Sequence, residues 1–152
     1  MEFYLVRHGE AVSENVDPKR PLSGTGRQQV ETVAELVAMR NPKPFRIVHS
    51  GILRAKQTAE ILRARFGSTV PLEQISGLLP DDDPFIAKAQ LETADSSLML
   101  VGHLPHMNRL AALLVNGDEN RQAVKFGPAT AVCVSQGVPR WKIVWIAAPE
   151  PL

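Results

Sequence analysis

Cysteine is nearly absent: Cys133 stands alone in 152 residues. An internal disulfide is therefore excluded, as is a zinc site built on several thiolates. Cys133 lies in Thr130-Ala-Val-Cys-Val-Ser135, an apolar run that reads as a strand, where a lone thiol packs as a small hydrophobe. It has neither a basic neighbour nor a helix start to activate it as a nucleophile. An excess of one charge is missing too. Lys and Arg number 17 against 16 Asp and Glu, a net charge of +1. That balance excludes the broad basic face by which proteins hold nucleic acid. Any attraction for an anion has to come from a few local side chains. No stretch approaches the ~20 apolar residues of a membrane span. Residues 1–6 carry no basic leader and no long apolar run before a cleavage site. The expectation is a cytoplasmic protein that binds neither nucleic acid nor membrane. A Walker loop, a His-Glu-x-x-His pair and a carboxylate cage are all missing, so no metal or other cofactor is expected.

What is present suits one folded unit. Apolar residues make up 44% and charged residues 22%, and the length allows a single domain over 1–152 with a real core. Residues 3–6 form a short apolar run that stops at Arg7-His8-Gly9, as a buried strand would. Pro18, Pro21 and Ser23-Gly-Thr-Gly26 make a loop. A helix is expected over 25–40, with Val30, Val33, Ala34 and Val37 on one face. The unit then returns: a strand over 45–48 stops at His49, and a helix over 52–66 ends at Gly67 as its C-cap. A polar stretch, 78–84, precedes a short helix over 85–94. A third strand over 97–101 ends at Gly102-His103, and Pro105 fits the first turn of the next helix. Strands over 130–135 and 141–146 flank a hairpin turn. Alternating strands and helices imply an α/β fold with a mixed, mostly parallel sheet. Ligands in such folds collect at the carboxyl ends of strands, and three strands here end in a histidine: His8, His49 and His103.

Arg7-His8-Gly9-Glu10 can aim a guanidinium and an imidazole into one pocket. Arginine presents a planar fork of donors matched to phosphate oxygens. A largely neutral imidazole can attack phosphorus directly. Gly9 is expected to let the chain turn sharply and a ligand approach the backbone. Arg54, in the first turn of the helix after the second strand, opposes the helix dipole unless an anion sits between them. His103 closes the third strand at the same sheet edge.

These motifs resemble the histidine phosphatase superfamily, also called the phosphoglycerate mutase-like superfamily, and within it the SixA-type phosphohistidine phosphatases. The resemblance runs through Tyr4-Leu-Val-Arg-His-Gly-Glu-Ala11, Arg20-Pro-Leu-Ser23 with Gly26, and Ser50-Gly-Ile-Leu-Arg-Ala-Lys-Gln-Thr-Ala59. It continues through Leu78-Leu-Pro80, Val101-Gly-His-Leu-Pro105 and residues 126–131. It implies a three-layer α/β/α sandwich, His8 as the phosphorylated nucleophile, and Arg7, Arg54 and His103 as the groups holding the phosphoryl oxygens. Arg20 is a further candidate for substrate contact.

Larger members of the family carry an insert that delivers a glutamate to protonate the leaving alcohol, and no clear counterpart stands here. Asp81, Asp82 and Asp83 are the nearest acids, in what reads as a solvated loop. An alkoxide needs such help, whereas a phosphorylated imidazole can leave as a neutral amine. The expected substrate is therefore a phosphohistidine-bearing protein, with a small phosphorylated molecule as the alternative and a non-catalytic phosphate-binding module as a third reading. Glu10 stands either as an orienting partner of Arg7 or His8 or as the start of a loop. His49 is expected to be a bystander, and His106 to line the pocket rim.

Overall fold

The computed structural model describes residues 1–44 and 46–150. The elements in order are β1 (Glu2–Arg7), α1 (Gly24–Ala38), β2 (Arg46–His49), α2 (Leu53–Phe66), β3 (Leu72–Gln74), α3 (Pro84–Glu92), β4 (Leu98–Gly102), α4 (His106–Asn116), β5 (Ala131–Ser135) and β6 (Lys142–Ala147). The six strands form one sheet in the order β3-β2-β4-β1-β5-β6. Neighbours from β3 to β1 pair in parallel, while β5 runs antiparallel to both β1 and β6. The sheet is mixed, with only β5 reversed.

Side-chain alternation along the strands builds the three layers. Phe3, Leu5, Leu98, Leu100, Val132 and Val134 face one side and pack with α3 and α4 through Ala87, Leu91, Met107, Leu110 and Leu114. Tyr4, Val6, Met99, Val101, Ala131 and Cys133 face the other, against Val30, Val33 and Val37 of α1 and Ala55, Ala59 and Leu62 of α2. Because both faces are covered, the central strands are apolar through their middle positions, Phe3–Val6, Leu98–Val101 and Ala131–Val134, and each fully buried side chain of this kind contributes about 1.5–3 kcal/mol. Burial pushes the Cys133 thiol up to about 12, so it stays protonated and serves as packing.

The structure departs from the sequence reading in two places. β3 was not expected: it is a three-residue edge strand, mostly exposed, with no apolar period to betray it. Pro105 sits just before α4 rather than within its first turn. Phe45, expected to open β2, lies outside the described residues. Gly67 does cap α2, with a φ of 129°, as expected.

The loop after β1 is locked to the start of α1. Ser23 caps α1 by accepting from the Gly26 N–H at 2.9 Å. The Glu10 N–H donates to Gln29 Oε1 at 2.9 Å, and the Glu10 carbonyl accepts from the Ser23 N–H at 3.0 Å. The approach requires glycine on both sides. A Cβ on Gly26 would lie 1.9 Å from the Glu10 carbonyl oxygen, and one on Gly9 would lie 2.7 Å from the Gly26 carbonyl oxygen. Gly9 is thus demanded by contact with α1, not by the sharp turn expected of it. Gly26→Ala must push the loop off the helix, at an expected cost of roughly 1–3 kcal/mol. The check is a lower urea midpoint at unchanged slope, and an unmoved midpoint would show that the loop yields freely.

Candidate active site

His8 leaves β1 with its backbone held on both sides. Its N–H donates to the Gly102 carbonyl and its carbonyl accepts from the Ala129 N–H, each at 3.0 Å. Its Nδ1 lies 2.6 Å from the Gly9 carbonyl oxygen. A carbonyl can only accept, so Nδ1 carries the proton and Nε2 keeps a free lone pair. Burial is the main influence lowering the His8 pKa, to about 4, joined by the charges of Arg54, Arg7 and Arg20 and opposed by the Gly9 carbonyl. At neutral pH the ring is therefore uncharged.

His103 follows β4 and stands beside it, with ring centroids 5.1 Å apart. Its Nε2 lies 2.6 Å from Ser50 Oγ, and Ser50 Oγ also accepts from the Ile52 N–H at 3.2 Å. His103 Nδ1 is buried without a partner among the described residues. Burial, then His8 and Arg54, push the His103 pKa down to about 3. Both imidazoles thus stand neutral on the same side of the sheet. Sequence reasoning overlooked Ser50 as a functional residue, although it directly follows a strand-ending histidine.

The charges of Arg54, Arg7 and Arg20 bear on His8, and that of Arg54 also on His103. Arg7 Nη1 donates to the Phe126 carbonyl at 2.8 Å, which orients the fork. Arg54 occupies the first turn of α2 as expected. Thr58 ties that turn to the His8 loop: its hydroxyl donates to the Arg54 carbonyl at 2.8 Å and accepts from the Gly9 N–H at 3.2 Å. Arg20 has a φ of 48°, and its Nε donates to the Val12 carbonyl at 3.1 Å. Its charge acts on both His8 and Arg54. Burial lowers the pKa of Arg7 and of Arg54, and Arg20 adds to the effect on Arg54. The ion pairs among the described residues are Arg46–Glu73, Lys88–Glu92 and Arg109–Glu119, all elsewhere. Half-buried arginines facing a neutral imidazole with no carboxylate between them form a site for an anion.

The remaining candidates separate cleanly. His49 turns into its own loop, where Nδ1 accepts from the Gly51 N–H at 3.0 Å. His106 is fully buried at the start of α4, not at the pocket rim; no hydrogen bond engages its ring among the described residues. The Glu10 carboxylate is exposed and bonds neither Arg7 nor His8, so the loop-start reading holds. Asp81 is exposed, whereas Asp82 accepts from the Leu79 N–H at 2.9 Å and Asp83 caps α3 through the Phe85 N–H at 3.0 Å. No cluster of three or more His, Cys, Asp or Glu side chains suited to a metal ion occurs among the described residues. Nor is any helix long and apolar enough to cross a membrane.

Comparison with known proteins bears on family and fold. Residues 3–79 match the model of the histidine phosphatase superfamily (branch 1). An uncharacterized protein of Picosynechococcus sp. is 34% identical over 125 residues, covering 78% of this chain and 75% of its own. The phosphohistidine phosphatase SixA of Escherichia coli is 27% identical over 123 residues, covering 78% and 76%. The solved structure of the protein histidine phosphatase SixA complexed with tungstate superposes with a TM-score of 0.86 at 23% identity, over 98% of this chain and 97% of that one. A mycobacterial glucosyl-3-phosphoglycerate phosphatase shares the fold at a TM-score of 0.70 and 21% identity, over 97% and 99%. By its family match and its fold, this chain belongs to the histidine phosphatase superfamily.

Proposed function

We propose that the protein is a metal-independent phosphatase that takes the phosphoryl group onto His8 Nε2 and acts on phosphohistidine borne by another protein. The observation that carries this reading is the neutral His8, its free Nε2 set among three guanidiniums that have no carboxylate partner. Arg7 and Arg54 hold the phosphoryl oxygens, and Arg20 adds charge at the outer side. His103 accepts the Ser50 hydroxyl proton at Nε2 and offers Nδ1–H to a third oxygen. The Ile52 N–H, donating to Ser50, orients that hydroxyl.

In the first step the His8 Nε2 lone pair forms the N–P bond as the bond to the substrate imidazole breaks. The departing ring is protonated and leaves neutral. In the second step water attacks phosphorus, the His8 N–P bond breaks, and inorganic phosphate leaves with the protons of the water shared between it and solvent. Donors placed in advance around the transferring group supply the acceleration.

The second reading is a small phosphate ester as substrate. Asp82 favours it, because its side chain and Ser50 line the same cavity. Against it, the Asp82 carboxylate is already engaged by the Leu79 N–H. The relative named for phosphohistidine also weighs toward the first reading.

Rapid-quench labelling tests the mechanism. An acid-labile, alkali-stable phosphoryl adduct is expected on the wild type and not on His8→Ala, and a wild type that neither labels nor turns over any donor would overturn the reading. Arg54→Ala is expected to lower kcat by about 100- to 1,000-fold. Ser50→Ala should lower kcat more than it raises KM, because the variant still binds the anion but presents His103 in mixed tautomers.

Titration of the imidazoles checks the electrostatics. His8 is lowered from its ordinary value of 6.5 to about 4. It should therefore stay neutral as the pH falls through 6.5, while the unfolded chain takes up a proton. Between those values stability drains away as pH falls. NMR of the ring nitrogens should show His8 protonating only near the lower value, and inorganic phosphate should raise that midpoint by offsetting the arginines. A midpoint near 6.5 in the free protein would contradict the site as described.

A further inference from the structure

Leu79 and Ile86 are large apolar side chains left 44% and 47% exposed. They line one cavity together with Ser50. The chain leaves the carboxyl end of β3 at Gln74, runs through residues 75–83, and enters α3 at Pro84. The surface is firmly built. Gly77, at a φ of +93°, makes room for Ile86, whose Cγ2 would lie 2.7 Å from a Cβ there. Gln90 Nε2 donates to the Ser76 carbonyl at 3.2 Å, tying α3 to the same segment. Asp82 and Asp83 spend their carboxylates on the turn and on the helix cap. Asp81 makes no bond and faces solvent.

The patch is continuous with the candidate active site. A cavity of about 360 Å³ is lined by Ser50, Ile75, Gly77, Leu79, Asp82 and Ile86, among others. Ser50 is the hydrogen-bond partner of His103, so the phosphoryl pocket and the apolar patch share a wall. The remaining exposed apolar groups lack this link. Val138, 98% exposed, follows Ser135, which pairs with Glu2 at the opposite end of β1.

We propose that Leu79 and Ile86, with Asp81 at their margin, dock the protein that carries the phosphohistidine; this rests on the substrate reading above. A histidine side chain is short. With its phosphoryl group held against His8, the backbone of the donor protein is brought down onto the rim of the pocket. The rim is cationic at Arg20 and apolar with an acidic margin at Leu79–Ile86. The occupant is therefore a folded domain with an apolar surface beside its phosphohistidine and a Lys or Arg to face Asp81. Exposed apolar groups set around a desolvated centre are where binding energy concentrates in protein interfaces.

Steady-state kinetics with two substrates tests the assignment. One is free phosphohistidine, and the other is a small single-domain protein phosphorylated on histidine with phosphoramidate. Ile86→Glu and Leu79→Glu are each expected to raise KM for the protein about tenfold or more, and to leave kcat/KM for free phosphohistidine within about twofold. Val138→Glu should change neither. Unchanged KM for the protein in both patch variants would overturn the docking surface, as would an equal loss on both substrates. A wild type that turns over free phosphohistidine but no phosphorylated protein would instead refute the underlying substrate reading, and the docking surface with it. That failure shows in the wild type alone, so the two are told apart.

Discussion

Like charge gathered without a counter-ion is the constraint around which this molecule is arranged. Arg7, Arg20 and Arg54 all bear on His8, and among the described residues none of them pairs with a carboxylate. Left alone, such a cluster repels itself and resists burial. The fold keeps Arg7 and Arg20 in place by fastening them to backbone carbonyls, neutral acceptors that fix direction without cancelling charge. Arg7 is held by Phe126 and Arg20 by Val12. Burial, with arginine charge adding to it, keeps both imidazoles neutral.

Backbone contacts, more than side-chain packing, give the site its precision. The ends of β1 and β4 meet at the bond from His8 to Gly102, and the segment before β5 closes the other side through Ala129 and Thr130. The interlock of Gly9 and Gly26 then sets the loop against α1 at a distance no side chain would permit. Thr58 carries the register across to α2, so Arg54 and His8 answer to one hydroxyl. Sheet topology brings the ends of β1 and β4 to one edge, and these short links fix the His8 loop against α1 and α2.

Features that obey a period or end an element were legible in the sequence. Apolar strands stopping at His8 and His103 announced the edge, and the stripe from Val30 to Val37 announced a helix against the sheet. What stayed hidden depends on contacts between segments far apart in the chain. β3 is too short and too polar to show a pattern, and its place at the edge comes only from pairing with β2. Ser50 and Thr58 look like any hydroxyl in a helix-start sequence until His103 and Gly9 are beside them. Gly9 was assigned to a turn because local reasoning sees φ and ψ but not the helix that will press against it. His106 was placed at the rim by its nearness to His103 in sequence, yet entry into α4 carries it into the interior.

The acid-poor site and the apolar rim bear on substrate in the same direction. A phosphorylated alcohol leaves as an alkoxide and has to be given a proton at the moment of departure. The two acids nearest the rim that make bonds, Asp82 and Asp83, are committed to backbone N–H groups, where each accepts rather than donates. Those bonds hold the turn that presents Leu79 and seats α3. The segment that in a longer chain would bring an acid over the pocket is therefore organised here as a surface. A protonated imidazole asks for no acid, and a protein bearing it has the area to cover Leu79 and Ile86, which a small ester would leave wet.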